Sequence, residues 1–491
     1  MAVSFNDIPS SVLAPSIYVE IDNSRAFHFT PPFKRSVLAI GPMLATGSAQ
    51  DGELKLIYNN TEADQYFGVG SILADMLKNL RLNTRGVDIY AIGLADAAGA
   101  TKATATIQVT SGATRNGTLF LYIGGRLVRI PVAAGDNPAT IATAIQDAVN
   151  ADSLLLTTAS VLTDTVTLTA RNAGTLGNQI DIRTNYYGKA AGEELPAGVA
   201  LTITQMAGGA TDPDLADAIA NMPDERFDFV LNAFTDNANL NLLEAELDSR
   251  WGYSRMLESH AFIALKGTLA TLSTFAASRN NPHLTTMGFN DSPTAPWIWA
   301  SAYCGQVAWH GSIDPARPFQ TLPLMGVLAP PLSSQFTLQE QEILLADGIA
   351  TYTVERDGQA RIQRAVTTYT QSPQGLPDAS FRDTNTLLTL AYVSQSVRFR
   401  LGQKFRRHKL AKSGTRFGPG QAIVTPVIIK AELIALFSEW ESLGLVEDIE
   451  QFKDDLIVEI NAQDPNRVDI LLPPNLVNQL RITAIQIQFR V

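Results

Sequence analysis

The chain has 491 residues, 45% of them hydrophobic and 17% charged, with a formal net charge of −11: the balance of an ordinary globular protein long enough for roughly two to four domains. One cysteine, Cys304, excludes an internal disulfide framework and a multi-cysteine zinc site. The acidic sum argues against general nucleic-acid binding, and the longest apolar runs, such as AFIALKG from Ala261 and MGVLAPPL from Met325, fall far short of the roughly 20 residues of a membrane span.

The opening MAVSFNDIPSSVLAPSIYVE lacks the basic and apolar regions of a secretory signal, so the protein is expected to stay in the cytoplasm where it is made. In SIYVEIDNSR, Ile17, Val19 and Ile21 share one face of a predicted strand within an arm of residues 1–25. KRSVLAIG starts an α/β pattern, in which SILADMLKNL has helical spacing and GVDIYAIGL from Gly86 reads as a buried strand. From about Ala95 to Gly209 the composition shifts to Ala, Thr and Gly. There TATIQVT, GTLFLYIGGRLVRIPV with a Gly124-Gly125 hairpin turn, and DTVTLTA predict short strands around one helix, Pro138 to Asn150. Asp136 or Asn137 caps that helix and Pro138 fits its first position. Residues 99–209 are therefore expected to form an inserted, surface-displayed β-rich domain.

The α/β pattern resumes at DPDLADAIANMPDERFDFVLNAF, a helix with an Asp cap and Pro in its first turn followed by a buried strand. An insertion between two halves of one domain, 26–98 and 210–335, explains this order. Beyond Gln335 come a capping box of Thr337 with Glu340, a helix, and two strands joined at Asp357-Gly358. A long helix, about Val427 to Leu443, follows Thr425-Pro426 and stops at Gly444. Two strands around DPNR, a Pro473-Pro474 break, a short helical turn and a closing strand complete a C-terminal domain, 336–491. In that closing strand, ITAIQIQFRV from Ile482, the residues Ile485, Ile487, Phe489 and Val491 line one face and Gln486, Gln488 and Arg490 the other. Chain ends usually fray, so a patterned one asks for a partner. The fold class expected is multidomain, α/β plus α+β, with no internal repeat of 20 to 50 residues.

Motifs for chemistry are sparse. Gly68-x-Gly70 before a helix could hold phosphate, or could be a structural turn; the third glycine of the dinucleotide fingerprint and a Gly-Lys-Ser/Thr loop are both missing. Cys304, His310 and Asp314 could form a nucleophile, base and orienting acid, or a buried thiol beside a packed histidine. His28, His260, His283, His310 and His408 show no metal-ligand spacing, and no Gly-x-Ser-x-Gly elbow occurs. No cofactor is expected. The strongest charge signal lies between Thr384 and Ala431, where no acid occurs while Arg398, Arg400, Lys404, Arg406, Arg407, Lys409, Lys412 and Arg416 crowd together. Such a run is a solvated face, a nucleic-acid contact, or a docking patch for an acidic protein surface.

YFGVGSILADML, DPARPFQTLPLMGVLAPP, ILLADGIATYTVERDGQARIQRAVTTYT and DPNRVDILLPPNLVNQLRITAIQIQFRV occur in this order, and over them the sequence resembles the tail sheath proteins of contractile-tailed bacteriophages, closest to the Mu-like group. The resemblance covers nearly the whole chain outside 99–209. It implies a structural, non-enzymatic subunit of a virion tail, assembled in the host cytoplasm as stacked six-fold rings that contract during genome ejection. Partners implied are other copies of the chain, the tail tube protein, and baseplate and neck or tail-terminator proteins, without direct nucleic-acid contact or membrane insertion. In such sheaths the terminal arms exchange strands between neighbours, which assigns Ile17, Val19, Ile21, Ile485, Ile487, Phe489 and Val491 to inter-subunit pairing. The basic run, Arg398 to Lys412, then becomes a candidate tube-facing grip. The alternatives are a sheath of a contractile bacteriocin or secretion machine and, in a different class, a cytoplasmic α/β hydrolase-like enzyme using Cys304 or a serine.

Overall fold

A computed structural model describes residues 34–418 and 420–490. Among these, residues 34–392 with 476–490 form one compact unit and residues 393–475 another.

The larger unit begins with β1 (Ser36–Pro42), β2 (Leu54–Leu56), α1 (Asn60–Phe67), α2 (Ile72–Asn83) and β3 (Asp88–Leu94). There follow β4 (Thr104–Ser111), β5 (Gly117–Ile123), β6 (Arg126–Val132), α3 (Pro138–Ala151), β7 (Thr157–Leu162), β8 (Thr165–Ala170), β9 (Ile182–Thr184) and β10 (Ala200–Ala207). The chain continues through α4 (Leu215–Ala220), β11 (Phe229–Asn232), α5 (Asn237–Trp251), β12 (His260–Lys266), α6 (Leu269–Ala277), β13 (Leu284–Phe289), α7 (Pro296–Ile313), α8 (Leu338–Ala346), β14 (Ile349–Val354) and β15 (Ala360–Arg364).

These strands build an eight-stranded sheet in the order β15-β14-β13-β12-β11-β1-β3-β2, parallel from β14 to β3 and antiparallel at both edges. Strand β1 pairs with β3 on one side and β11 on the other, so the chain before and after the insertion meets at its centre. Parallel strands covered on both faces read as unbroken apolar runs, and every residue of β1 and β13 is buried. Helix α7 lies against α2, β11, β12 and β13, with Trp299 stacked on Phe289 at 4.5 Å. Strands β14 and β15 belong to this sheet although they lie beyond residue 335, where the sequence reading begins the C-terminal domain. Pairing of β14 with β13 draws them in.

Between β3 and β11 the chain makes two small sheets, β10-β4-β8-β7 and β6-β5-β9, with α3 packed on β4, β6, β7 and β8. Gly124 and Gly125 both have positive φ, 58° and 86°, which the tight β5–β6 turn needs. Asn137 caps α3 through Thr140 N. The segment is stitched to the rest of the unit by buried and half-buried polar bonds. Asn172 accepts from Ile72 N at 3.1 Å and donates to Met43 O at 2.8 Å, and Asp181 takes Lys266 at 3.2 Å. Ahead of α4, Pro213 precedes the Asp214 cap and does not enter the first turn as the sequence pattern proposes.

Helix α9 (Thr384–Phe405) contains the division between the units. The smaller unit continues with β16 (Lys409–Leu410), β17 (Ile423–Val424), α10 (Pro426–Ser442), β18 (Val446–Glu447), α11 (Ile449–Asp455) and an antiparallel hairpin of β19 (Ile457–Ile460) and β20 (Val468–Leu471). Its core stacks Phe437 on Phe452 at 4.2 Å and ties Trp440 Nε1 to Ser396 Oγ at 2.9 Å. After Pro473-Pro474 the expected helical turn is absent. A short strand, Asn475–Leu476, stands there, because consecutive prolines hold the chain extended.

Candidate assembly interface

Residues 477–490 adopt neither helix nor strand, so the closing strand foreseen from the sequence does not form within one subunit. Ile485, Ile487 and Phe489 are 79%, 84% and 81% exposed. Their polar neighbours Gln486, Gln488 and Arg490 are exposed as well, so neither face of the alternating segment is covered. A run of large apolar side chains left in water is unfavourable by about 1.5 to 3 kcal/mol for each side chain that a partner could bury. Its main-chain donors and acceptors offer the row that strand addition uses. Ile17, Val19, Ile21 and Val491, assigned to the same exchange, lie outside the described residues.

The basic run separates into two environments. Arg400 on α9 is not part of an open face: its side chain is 5% exposed, with Glu432 Oε1 at 2.9 Å and Glu439 Oε2 at 2.5 Å. Burial opposes its charge, but the bonds to Glu439 and Glu432 outweigh that and raise its pKa. Lys404 reaches the other oxygen of Glu432 at 2.7 Å. The acids missing between 384 and 431 are thus supplied by α10, where Glu432 and Glu439 stand two turns apart on one face. The tube-facing assignment of Arg400 is corrected on this ground, and that of Lys404 is weakened. Arg398 is half-buried. Arg406, Arg407, Lys409 and Lys412 follow the end of α9 and are exposed, and among the described residues Arg406, Arg407 and Lys412 have no ion pair. Lys409 Nζ donates to Gln421 Oε1 at 3.2 Å. The dipole of α9 favours Arg406 and Arg407 just beyond its C-terminus, and the exposed side chains of the cluster remain open to a partner.

The residues considered for catalysis do not converge. Cys304 is buried in α7 and burial pushes its thiol pKa up, away from the thiolate a nucleophile needs. His310 lies six residues further along the same helix, on a different face, and Asp314 accepts from Ala316 N and Arg317 N instead of meeting the imidazole. Gly68 ends α1 with its N–H on Asp64 O, and a Cβ at Gly70 would strike Arg171 and Leu155 O. Both glycines have positive φ and serve the α1–α2 turn. No group of three or more His, Cys, Asp or Glu among the described residues could hold a metal ion.

Three family models match successive stretches: "Phage tail sheath protein beta-sandwich domain" at residues 98–200, "Phage tail sheath protein central domain" at 208–368 and "Phage tail sheath C-terminal domain" at 377–490. The chain is similar to the Mu-like prophage FluMu tail sheath protein of Haemophilus influenzae, 42% identical over 489 residues that cover 100% of both chains. Among solved structures it resembles the PVC sheath complex of an extracellular contractile injection system in its contracted state, with a TM-score of 0.50 and 10% identity over 98% of each chain. It also resembles the contracted helical sheath of the anti-feeding prophage, with a TM-score of 0.48 and 10% identity over 97% of this chain and 99% of that one. Full-length identity of this size, together with sheath family models along most of the sequence, means that the chain belongs to the phage tail sheath family as a structural subunit of a contractile tail and not an enzyme.

Proposed function

We propose that the subunit polymerises as stacked six-membered rings around the tail tube, linked to its neighbours by exchanged arm strands, and shortens into a wider lattice that drives the tube through the host envelope. The observation that carries this reading is the uncovered apolar alternation of Ile485, Ile487 and Phe489. One copy leaves these side chains in water; a second copy would bury them by adding residues 482–491 to a sheet edge, with residues 1–25 as the complementary arm. Folded bodies can then swing about short hinges while the ladder stays intact.

The exposed cations Arg406, Arg407, Lys409 and Lys412 form the grip on the tube in this reading. Individual exposed charge pairs contribute only about 0 to 1 kcal/mol and are screened by salt, which suits a contact that must release. The inserted segment, residues 99–209, takes the outer wall. Assembly takes place in the host cytoplasm, with baseplate and neck or tail-terminator proteins at the two ends. No described helix is long and apolar enough to cross a membrane.

Truncation after Leu480 tests the reading. The shortened chain should remain a folded monomer by light scattering and circular dichroism and fail to polymerise under conditions in which the full chain forms sheath-like tubes. Tubes of normal yield from the truncated chain would overturn it.

A further inference from the structure

The C-terminal arm leaves the larger unit at Arg481, whose side chain is 13% exposed although the residues after it are open to solvent. One guanidinium nitrogen lies 3.1 Å from Asp383 Oδ1 and 3.4 Å from Asn385 Oδ1, and donates to Gln479 Oε1. Asp383 is held from the other side by Arg364 at the end of β15, through Nε to Oδ1 at 3.0 Å and NH2 to Oδ2 at 3.1 Å. Asn385 cannot turn away easily, because its Nδ2 donates to Pro315 O at 2.9 Å and Arg317 O at 2.8 Å. Asp383 directly precedes α9, whose first amides favour a carboxylate at that position.

Ordering an arginine side chain on an otherwise uncovered chain end costs conformational entropy, so its burial calls for a reason. Burial lowers its pKa and Arg364 acts in the same sense, against the attraction of Asp383. Position supplies the reason. Pro473-Pro474 stiffen the chain before Arg481, and the exposed apolar alternation begins directly after it. A pull on the arm therefore meets this side chain before it meets any element of the body. In the same unit Arg35 also pairs with an aspartate, 2.5 Å from Asp228 with both side chains buried.

We propose that Arg481 is the mechanical anchor of the C-terminal arm: its ion pair with Asp383, backed by Arg364, confines the hinge to the residues that follow and carries force from a neighbouring subunit into β15 and α9. The load, though not the anchor, rests on the strand-exchange reading above. A half-buried pair whose acid is also gripped through two bonds by Arg364 is a better anchor than a fully exposed one, since parting it leaves charges that water reaches less readily.

Trypsin cleaves after arginine only when that side chain can enter its binding pocket, so cutting at Arg481-Ile482 reports release from Asp383. In the purified full-length subunit, Asp383→Asn should speed this cut by about tenfold or more, as local opening becomes easier. Cutting after the exposed Arg407 serves as the internal standard and should not change. Arg364→Gln leaves the residue before α9 in place and frees Asp383 from its two fixing bonds; this loss of positioning should outweigh the relieved repulsion between Arg364 and Arg481, so the cut should again speed up, which covers the case in which Asp383→Asn disturbs the helix. An unchanged rate at Arg481 in both variants would overturn the anchor. Assembled tubes of Asp383→Asn should also break into shorter pieces under shear than wild-type tubes. Equal lengths would overturn the mechanical role while leaving strand exchange standing, whereas tubes from the chain truncated after Leu480 would sink strand exchange and leave the trypsin result untouched.

Discussion

Ile487→Ala puts a number on the arm. The side chain is 84% exposed in the single subunit, so its truncation should not change the thermal midpoint of the monomer. In the polymer, on the proposed reading, the same side chain is buried, and the substitution removes three carbons from that contact. At about 0.8 kcal/mol per buried CH2 the loss is about 2.4 kcal/mol for each arm. Since about 1.4 kcal/mol is a factor of ten in an equilibrium constant, the critical concentration for tube formation should rise roughly fiftyfold. Pelleting across a dilution series measures it, with negative-stain micrographs to identify the pelleted species. Gln488→Ala is the internal control, because residue 488 points to the opposite face of the strand and should move the critical concentration by less than about threefold. Equal effects of the two substitutions, or none from either, would refute the assignment of the 485, 487 and 489 face to the buried side.

Reversing Arg406, Arg407 and Lys409 to Glu should uncouple sheath from tube while leaving the subunit folded; normal extended tails in that variant would reject the grip. Arg400→Gln belongs to a different category: it removes a guanidinium shared by Glu432 and Glu439 and should cost the smaller unit about 3 kcal/mol in urea unfolding. Replacing residues 100–206 by a short linker should preserve tube formation. It should lower the melting temperature, because Ile72 N, Met43 O and Lys266 lose their partners at about 1 to 3 kcal/mol for each buried group orphaned. Loss of tubes would place the segment in the lattice. Burial holds His260 down to about 3 and His283 to about 4, against about 6.5 in the unfolded chain. Below pH 6.5 the unfolded state therefore binds more protons, so stability is complete above that pH and falls towards pH 4, by up to about 1.4 kcal/mol per pH unit for each ring. His283→Phe keeps the stack on Trp251 and should flatten the slope by one ring's share; equal slopes in urea titrations would contradict this.

Elements carrying their own local signal were legible in the sequence. The Thr337–Glu340 capping box, the Asn137 cap with Pro138, the Gly124-Gly125 turn and the Gly444 stop all stand where short-range chemistry puts them. Helix α7 gave no such signal. It is buried almost all round, and a helix without a polar face has no 3.6-residue stripe to read. Helix α9 was hidden for a related reason, since its basic residues look like a solvated run until α10 places Glu432 and Glu439 against them. A one-dimensional charge pattern cannot show a partner 32 or 39 residues away. The closing segment reads as a strand from its alternation, yet it adopts neither helix nor strand in the single subunit, because period-2 alternation states that one face suits burial and says nothing about which molecule covers it.

On the proposed reading the arms hold in two lattices, and this fixes what they cannot do. If residues 482–491 stay paired before and after contraction, their contacts contribute equally to both states and cancel from the difference. The driving free energy then lies in contacts between bodies that improve on shortening, and a variant that weakens only the arm should not move that balance. Ile487→Ala sheaths, assembled at concentrations high enough to saturate them, should contract at the same denaturant or temperature midpoint as wild type despite their higher critical concentration. A midpoint displaced by an amount comparable to the assembly effect would mean that the arm changes partners during contraction. It would then be part of the engine, and not only the link between its parts.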